Sequence, residues 1–302
     1  MNKKKLLAEL SKNPTVSLYS NELMSKHTSF KVGGPADIFV VPQNIQAVFD
    51  MLAHCRHYEI PLTVLGNCSN VLVKDKGIRG VVLKIGGGLT DVEVNGDNIM
   101  SGAGVLLSTL ANTALSCDLS GLEFAAGIPG SVGGGVFMNA GAYDGELKNV
   151  VEWVDAVDLE GNLMKYSNEQ MQFGYRKSIF SDNEQIILTA AFKLSLGNNE
   201  QIKEKMNDFA QRRRSKQPLE LPSAGSTFKR PEGHFAGKLI QDAGLCGVIV
   251  GGAQISEKHA GFIVNRGGAT AADILQLMEK VQEKVQALFG VHLQPEVRII
   301  GE

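Results

Sequence analysis

The segment LPSAGSTFKRP, residues 221–231, holds a serine whose hydroxyl could take part in chemistry. Ser226 lies among small residues, and Lys229 follows three positions later. A serine in this setting could be a nucleophile, a phosphate ligand or a turn residue. No histidine or aspartate motif accompanies it, so a nucleophilic triad is unsupported. Taken alone, the segment is most typical of a turn.

Two glycine-rich segments have the composition of anion-binding loops. LGNCSNVLV, residues 65–73, predicts a strand, a tight turn and a second strand, with side-chain and backbone donors in the turn. In residues 126–143, AGIPGSVGGGVFMNAGAY, closely spaced glycines leave backbone N–H groups open to a diphosphate. The P-loop pattern GxxxxGK[ST] is missing, and no GxGxxG joins a strand to a helix. A glycine-rich packing loop is the alternative for each segment.

The remaining candidate groups do not indicate a metal site. His54 and His57 have i,i+3 spacing on a predicted helix, but no carboxylate or cysteine accompanies them in a metal-binding pattern. The 4 cysteines contain no CxxC pair, and scattered cysteines fit a reducing cytosol. The basic run at residues 212–216 is typical of a solvated helix end, and contact of Lys216 or an arginine with a diphosphate is the alternative.

Composition indicates a soluble globular protein. The chain has 302 residues, 43% hydrophobic and 21% charged, which suggests about two or three domains. A net charge of −2 gives no general attraction to nucleic acid or to an anionic membrane. Glu9 and Lys12 interrupt the first apolar run too early for a signal peptide, and no run approaches the ~18 residues of a membrane span.

The elements that must position these residues are mixed along the chain. Helices are predicted at the N-terminus and over residues 42–58, 106–117, 199–217 and 270–289. The last helix has an apolar stripe made by Ile274, Leu277, Met278, Val281, Val285 and Leu288. Strands are predicted over residues 62–66, 71–73, 81–85, 185–196 and 292–300, with hairpins at Asn95-Gly96 and at residues 160–162. Without strict alternation of strand and helix, an α+β fold is favoured over a doubly wound sheet.

The order of the motifs resembles flavoproteins of the vanillyl-alcohol-oxidase type. It is most similar to the family of bacterial UDP-N-acetylenolpyruvoylglucosamine reductases. LGxxSN is followed by GIPGxxGGxxxMNAGAY, and then by further motifs in the family's order: GYRKSIF at 174–180, SAGSTFKRP at 223–231, HAGFIVN at 259–265 and QPEVRIIG at 294–301. The resemblance spans about residues 28–301. The short distance from Arg176 to Ser226 resembles the shorter class, which lacks a tyrosine-loop insertion.

The resemblance implies a fold, a reaction and a cofactor. It implies a two-subdomain FAD-binding fold over residues 1–60 and 61–200, and a C-terminal α+β substrate-binding domain over 201–302 whose last strand returns to the FAD domain. FAD would be bound non-covalently, and NADPH would supply hydride to reduce the enolpyruvyl group of UDP-N-acetyl-3-O-(1-carboxyvinyl)-glucosamine to UDP-N-acetylmuramate for peptidoglycan. The UDP-sugar and NADPH would occupy one site in turn, in the cytoplasm, with no nucleic acid, membrane or obligate protein partner.

Three residues carry over from the family as catalytic. Arg176 would bind the enolpyruvyl carboxylate and the developing enolate, and Ser226 would give a proton to the α-carbon. Glu296 would lie near the same anion, so it would have to be protonated, which requires burial. The cofactor-binding residues carried over are Gly66, Asn67, Ser69, Asn70, Gly127, Pro129, Gly130, Ser131, Gly133, Gly134, Asn139 and Gly141. Those carried over for the substrate are Tyr175, Lys216, Lys229 and Arg298.

One departure from the family lies in the first loop, where Cys68 replaces the usual glycine. A cysteine with a left-handed backbone would be strained, so a φ outside that region is expected. Two other functions stay open at this point. One is an FAD oxidase of a sugar alcohol or lactone, and the other is an inactive nucleotide-sugar binder, which would not need Arg176, Ser226 and Glu296 together.

Overall fold

The computed structural model describes residues 2–302. The helices are α1 (Asn2–Leu10), α2 (Ile45–Tyr58), α3 (Leu107–Ser116), α4 (Val132–Met138), α5 (Asn199–Lys216), α6 (Ala236–Asp242) and α7 (Ala271–Phe289). The strands are β1 (Val16–Leu23), β2 (Pro35–Pro42), β3 (Leu62–Leu65), β4 (Val71–Val73), β5 (Ile78–Lys84), β6 (Val92–Asn95), β7 (Asn98–Gly102), β8 (Leu119–Ser120), β9 (Gly141–Ala142), β10 (Gly145–Glu146), β11 (Val151–Val157), β12 (Leu163–Ser167), β13 (Ile186–Lys193), β14 (Ser195–Leu196), β15 (Ile249–Val250), β16 (Ala253–Ile255), β17 (Ile263–Asn265) and β18 (Arg298–Ile300).

The chain divides into two compact units. The first unit contains residues up to Ser20, Ile38–Asn67 and Gly80–Arg212, and the second contains Asn21–Asp37, Cys68–Arg79 and Arg213–Glu302. The predicted subdomains 1–60, 61–200 and 201–302 stay a prediction.

An antiparallel sheet in the order β12-β11-β13-β7-β6 forms the largest sheet of the first unit. Both predicted hairpins are confirmed, with β6 paired to β7 and β11 paired to β12. The first turns at Gly96, whose φ of 61° suits a residue without a Cβ. The predicted strand 185–196 breaks after Lys193, because Leu194 donates its N–H to Asp97 and residues 195–196 pair separately with β8.

Strand β3 runs parallel to β5 in the sheet that has the order β1-β2-β5-β3. Pro42 ends β2 instead of beginning the following helix. Helix α2 starts at Ile45, because the side chain of Asn44 accepts a hydrogen bond from the N–H of Ala47 at 2.8 Å. This cap corrects the predicted helix start by three residues.

The second unit packs α7 against the three-stranded sheet β15-β16-β17. Thr270 and Asp273 form a capping box at the start of α7, and Gly290 ends the helix in a left-handed conformation. The predicted stripe is buried from Ile274 to Val285, but Leu288 is 53% exposed, because it lies in the last turn of the helix.

The predicted C-terminal strand is shorter than the pattern suggested. Only Arg298–Ile300 form a strand, β18, which pairs in parallel with β4. Pro295 has no N–H to donate, and it makes only an isolated bridge with Phe228. The segment before β18 therefore passes beside the serine motif as irregular backbone.

Candidate functional site

The two glycine-rich loops touch within the first unit. The side-chain amide of Asn67 donates a hydrogen bond to the carbonyl oxygen of Pro129 at 2.7 Å. A Cβ at Gly66 would lie 2.5 Å from the hydroxyl oxygen of Ser131, so a larger residue here would force that hydroxyl to move. Gly66 and Asn67, at the start of the first loop, thus contact the second loop within the first unit.

Several donors at this surface have no protein acceptor. Among residues 2–302, the backbone N–H groups of Asn67, Gly130 and Ser131 make no hydrogen bond. The Ser131 hydroxyl accepts a long hydrogen bond of 3.4 Å from the N–H of Gly134, which leaves its own proton able to donate. Backbone and hydroxyl donors without internal acceptors can bind an anion.

The glycines of the second loop differ in what they do. A Cβ at Gly133 would lie 3.0 Å from Ala103, and one at Gly141 would lie 2.6 Å from the carbonyl oxygen of Gly145. Both positions therefore have a packing reason for glycine. At Gly134, only the Ser131 hydroxyl comes within 4 Å of the added Cβ, so this position leaves room for a ligand.

Arg176 lies on a tight turn of the first unit. Gly174 and Lys177 exchange backbone hydrogen bonds of 2.9 and 3.2 Å, which places Tyr175 and Arg176 at the tip. Arg176 has a φ of 54°, a left-handed conformation that costs a residue with a side chain roughly 1–2 kcal/mol. Its guanidinium donates to the carbonyl oxygen of Gly141 at 3.2 Å. Strained backbone of this kind is concentrated at functional sites.

Ser226 lies in the second unit, at the start of a segment held on both sides. Its neighbour Thr227 donates its backbone N–H to Gly261 at 2.9 Å and accepts the N–H of Glu296 at 2.8 Å. The buried hydroxyl of Thr227 also accepts the N–H of Ile263 at 3.1 Å. Ser226 itself is exposed, and its hydroxyl makes no hydrogen bond with any residue from 2 to 302.

Glu296 is brought next to Ser226 by this pairing. The carbonyl oxygen of Glu296 accepts a hydrogen bond of 3.2 Å from the side-chain amide of Asn70, and Asn70 in turn accepts the N–H of Arg298 at 3.0 Å. Glu296 is half-buried. Asn70, to which the resemblance assigns cofactor binding, thus anchors the segment that carries Glu296.

Cys68 has a φ of 54°, so the expectation of a φ outside the left-handed region was wrong. The residue is buried, and its carbonyl oxygen accepts a hydrogen bond from Ser29 at 3.2 Å. These contacts hold the turn in its left-handed conformation. The neighbouring Ser69 makes no hydrogen bond among residues 2–302, and its hydroxyl and N–H stay available to a ligand.

The predicted substrate residues lie in different settings. Tyr175 is 53% exposed, and its ring centroid lies 5.2 Å from the guanidinium carbon of Arg176. Lys229 follows the serine segment and donates its backbone N–H to Gln294 at 2.8 Å. Lys216 is exposed at the last position of α5, and Arg298 is exposed at the first position of β18. Their contact with a substrate stays a prediction.

Two site features were not anticipated from the sequence. The side chain of Asn139, assigned to the cofactor, is buried and bonded to three protein groups.

His259 accepts the N–H of Gly261 at its Nδ1 atom, next to the segment that holds Thr227. Burial lowers the pKa of His259, although a backbone hydrogen bond opposes that effect. The HAGFIVN motif includes His259, but it did not predict the hydrogen bond between His259 and Gly261.

Neither a metal cluster nor a membrane-spanning helix is found in the part of the chain that the structure describes. No three histidine, cysteine, aspartate or glutamate side chains there are arranged to hold a metal ion. No helix in that part is both long and apolar enough to cross a bilayer.

Two family models match parts of the chain. Residues 36–167 match a model described as FAD binding domain. Residues 217–300 match the model of the C-terminal domain of UDP-N-acetylenolpyruvoylglucosamine reductase. The two loops described above fall within the first match, Ser226 and Glu296 fall within the second, and Arg176 lies between the two matches.

Whole-chain similarity decides the family. The UDP-N-acetylenolpyruvoylglucosamine reductase of Caldanaerobacter subterraneus subsp. tengcongensis is 53% identical over 285 residues, covering 94% of each chain. The chain belongs to this family. The enzyme of Clostridium botulinum strain Hall is 54% identical over 282 residues, covering 93% of this chain and 92% of its own. A crystal structure of the family's enzyme from Thermus caldophilus matches with a TM-score of 0.82 and 36% identity, covering 95% and 99% of the two chains.

Membership of the family confirms the predicted fold, a mixed α and β architecture with an FAD-binding domain followed by the family's C-terminal domain. It also confirms FAD as the cofactor. The donors of this structure fit that group, because the unpaired N–H groups of Asn67, Gly130 and Ser131 suit a diphosphate. Assignment to the shorter class of the family stays a prediction.

Proposed function

We propose that Arg176, Ser226 and Glu296 carry the reaction of this family in this chain. The reaction is the NADPH-dependent reduction of the enolpyruvyl group of UDP-N-acetyl-3-O-(1-carboxyvinyl)-glucosamine to UDP-N-acetylmuramate, a step of peptidoglycan synthesis. Bound FAD supplies the hydride chemistry, from NADPH to the β-carbon of the enolpyruvyl group. The observation that supports these roles most strongly is the pairing that sets exposed Ser226 beside half-buried Glu296.

Arg176 binds the carboxylate of the enolpyruvyl group. A guanidinium is always charged and can hold both carboxylate oxygens with parallel hydrogen bonds. Negative charge grows on the carboxylate side as the β-carbon receives hydride, so a fixed cation stabilises the transition state more than the bound substrate. Donors organised in advance in this way contribute about 3–4 kcal/mol. The strained turn fixes the backbone from which this cation projects.

Ser226 gives its proton to the α-carbon. The enolate that follows hydride delivery is strongly basic at this carbon, so a weakly acidic hydroxyl is a sufficient donor. The Ser226 hydroxyl is exposed and unbonded within residues 2–302, and it can therefore turn toward a substrate carbon. Lys229, three residues later, is a candidate cation to stabilise the alkoxide that the proton leaves behind.

Glu296 lies beside the developing enolate and takes part in its hydrogen bonding. Its backbone N–H donates to the carbonyl oxygen of Thr227 at 2.8 Å, which holds Glu296 close to the residue that follows Ser226. The side chain of Glu296 is half-buried.

The substrate and NADPH occupy the same site in turn. The sequence contains no Rossmann dinucleotide motif that would indicate a separate NADPH domain. Alternating occupation predicts ping-pong kinetics, in which each ligand inhibits competitively against the other.

The same proposal places the enzyme in the cytoplasm, where the nucleotide-sugar precursors of the cell wall are made.

Anaerobic stopped-flow experiments test these roles by separating the two half-reactions. NADPH should bleach the visible absorbance of the holoenzyme, and UDP-N-acetylglucosamine enolpyruvate should then restore it. Arg176→Ala should slow the second step by more than about 10²-fold and spare the first. Equal slowing of both steps, or of neither, would show that Arg176 does not act on the enol ether.

A further inference from the structure

The side chain of Asn139 makes three hydrogen bonds near the Arg176 turn. Asn139 follows the last residue of α4, has a φ of 43° and is only 1% exposed. Its Nδ2 atom donates to Glu146 Oε2 and to the carbonyl oxygen of Gly174, each at 3.0 Å. Its Oδ1 atom accepts the N–H of Lys148 at 2.9 Å. The amide is therefore committed to protein groups.

These bonds close a ring that includes Arg176. The amide of Asn139 holds Gly174, which begins the turn, and the guanidinium of Arg176 reaches from the turn to Gly141 at 3.2 Å. Gly141 pairs with Glu146 in the β9–β10 hairpin, and the Glu146 carboxylate returns to Asn139. The Asn139 side chain, the Arg176 turn and the β9–β10 hairpin therefore hold one another in place within the first unit.

The far side of the turn is fastened to the same helix end. The hydroxyl of buried Ser178 donates to the carbonyl oxygen of Phe137 at 2.8 Å, and Phe137 lies in the last turn of α4. The turn therefore bonds to the C-terminal end of α4 on both sides of Arg176, through Gly174 before it and Ser178 after it. A left-handed arginine persists only where its surroundings over-determine it in this way.

We propose that Asn139 is a positioning residue for the reduction of the enol ether, acting through Arg176 and not through contact with FAD. The inference rests on the proposed role of Arg176 in binding the carboxylate. Asparagine suits the position for two reasons. It tolerates a left-handed backbone, and its amide offers two donors and an acceptor where aspartate would place a second carboxylate against Glu146.

Asn139→Gly is the informative variant, because glycine keeps the left-handed backbone while the amide is lost. Reoxidation of the reduced holoenzyme by UDP-N-acetylglucosamine enolpyruvate should slow by about 10²-fold, as expected when a binding group is displaced by about 1 Å. Bleaching by NADPH should change less than about threefold. The affinity of the apoprotein for FAD, measured by quenching of flavin fluorescence, should also change less than about threefold. Asn168→Ala is the matched control, since that amide also donates to two carbonyl oxygens, of Lys148 and Val151, but lies outside the ring.

A double-mutant cycle separates positioning from general support of the fold. In an Arg176→Ala background, Asn139→Gly should slow the enol-ether step by less than about threefold, because its target is already gone. Effects that multiply, or a loss of FAD affinity that accounts for the slowing, would overturn the inference. If Arg176→Ala itself left the enol-ether step unchanged, the proposed function would fail instead, and the two failures are distinguishable.

Discussion

The backbone N–H of Glu296 donates a hydrogen bond to the carbonyl oxygen of Thr227 at 2.8 Å. Thr227 directly follows Ser226, so one residue joins the two proposed catalytic residues of the second unit. Backbone pairing thereby fixes the separation of the two chain segments that carry these side chains. The pairing can be tested by substitution.

Ser226→Ala should leave reduction of the bound flavin by NADPH intact and slow turnover of the enol ether by about 10²- to 10⁴-fold, the usual worth of a positioned proton donor. Stopped-flow absorbance measures both half-reactions. Ser223→Ala, in the same segment, is the control and should behave as the unmodified enzyme. An equal loss of both half-reactions in Ser226→Ala would contradict the proton-donor role.

Arg176→Gly should be more stable than Arg176→Ala by about 1 kcal/mol, because glycine adopts the φ of 54° without the Cβ penalty that alanine keeps. Both variants should lose the enol-ether step, since both lack the guanidinium. Urea unfolding monitored by circular dichroism gives the stability difference. Identical unfolding midpoints would mean that Arg176 is not strained in the folded protein.

Thr227→Val should lower the free energy of unfolding by about 1–3 kcal/mol, because the buried N–H of Ile263 would lose its 3.1 Å acceptor. Thr227→Ser keeps the hydroxyl and serves as the control, with a smaller loss from the missing methyl group. The enol-ether step should slow in the valine variant and recover in the serine variant. A valine variant as stable as the serine variant would remove the role assigned to this hydroxyl.

Acidification should destabilise the second unit through His259. Burial lowers the pKa of the folded residue, while the unfolded residue titrates near 6.5. The contribution to stability is therefore complete above about pH 6.5 and declines as the pH falls toward the lower folded pKa, since the unfolded chain binds more protons. His259→Asn can still accept the N–H of Gly261 without titrating. Its melting temperature should fall less between pH 7 and pH 5 than that of the unmodified enzyme, and an equal fall would exclude His259 as the cause.

The sequence was most informative where a pattern is local or where a motif is long. Asn95-Gly96 predicted a hairpin because its geometry needs only neighbouring residues, and the motifs around Arg176, Ser226 and Glu296 were enough to predict the family. The partners of Asn139 could not be predicted, because Gly174 lies 35 positions away and no pattern marks a side-chain amide that bonds to a carbonyl. The prediction for Cys68 was wrong because a residue with a Cβ normally avoids a left-handed backbone, and contacts with distant residues override that preference here.

The hydrogen bond from Asn70 to Glu296 joins residues that are 226 positions apart. The parallel pairing of β4 with β18 spans a similar stretch. During synthesis on the ribosome, Leu72 and Val73 of β4 therefore lack their partner strand until almost the whole second unit has emerged. Contacts of such long range close slowly. A cell that makes this enzyme quickly should depend on chaperones to shield that apolar edge, and a premature stop before residue 298 should leave a product prone to aggregation.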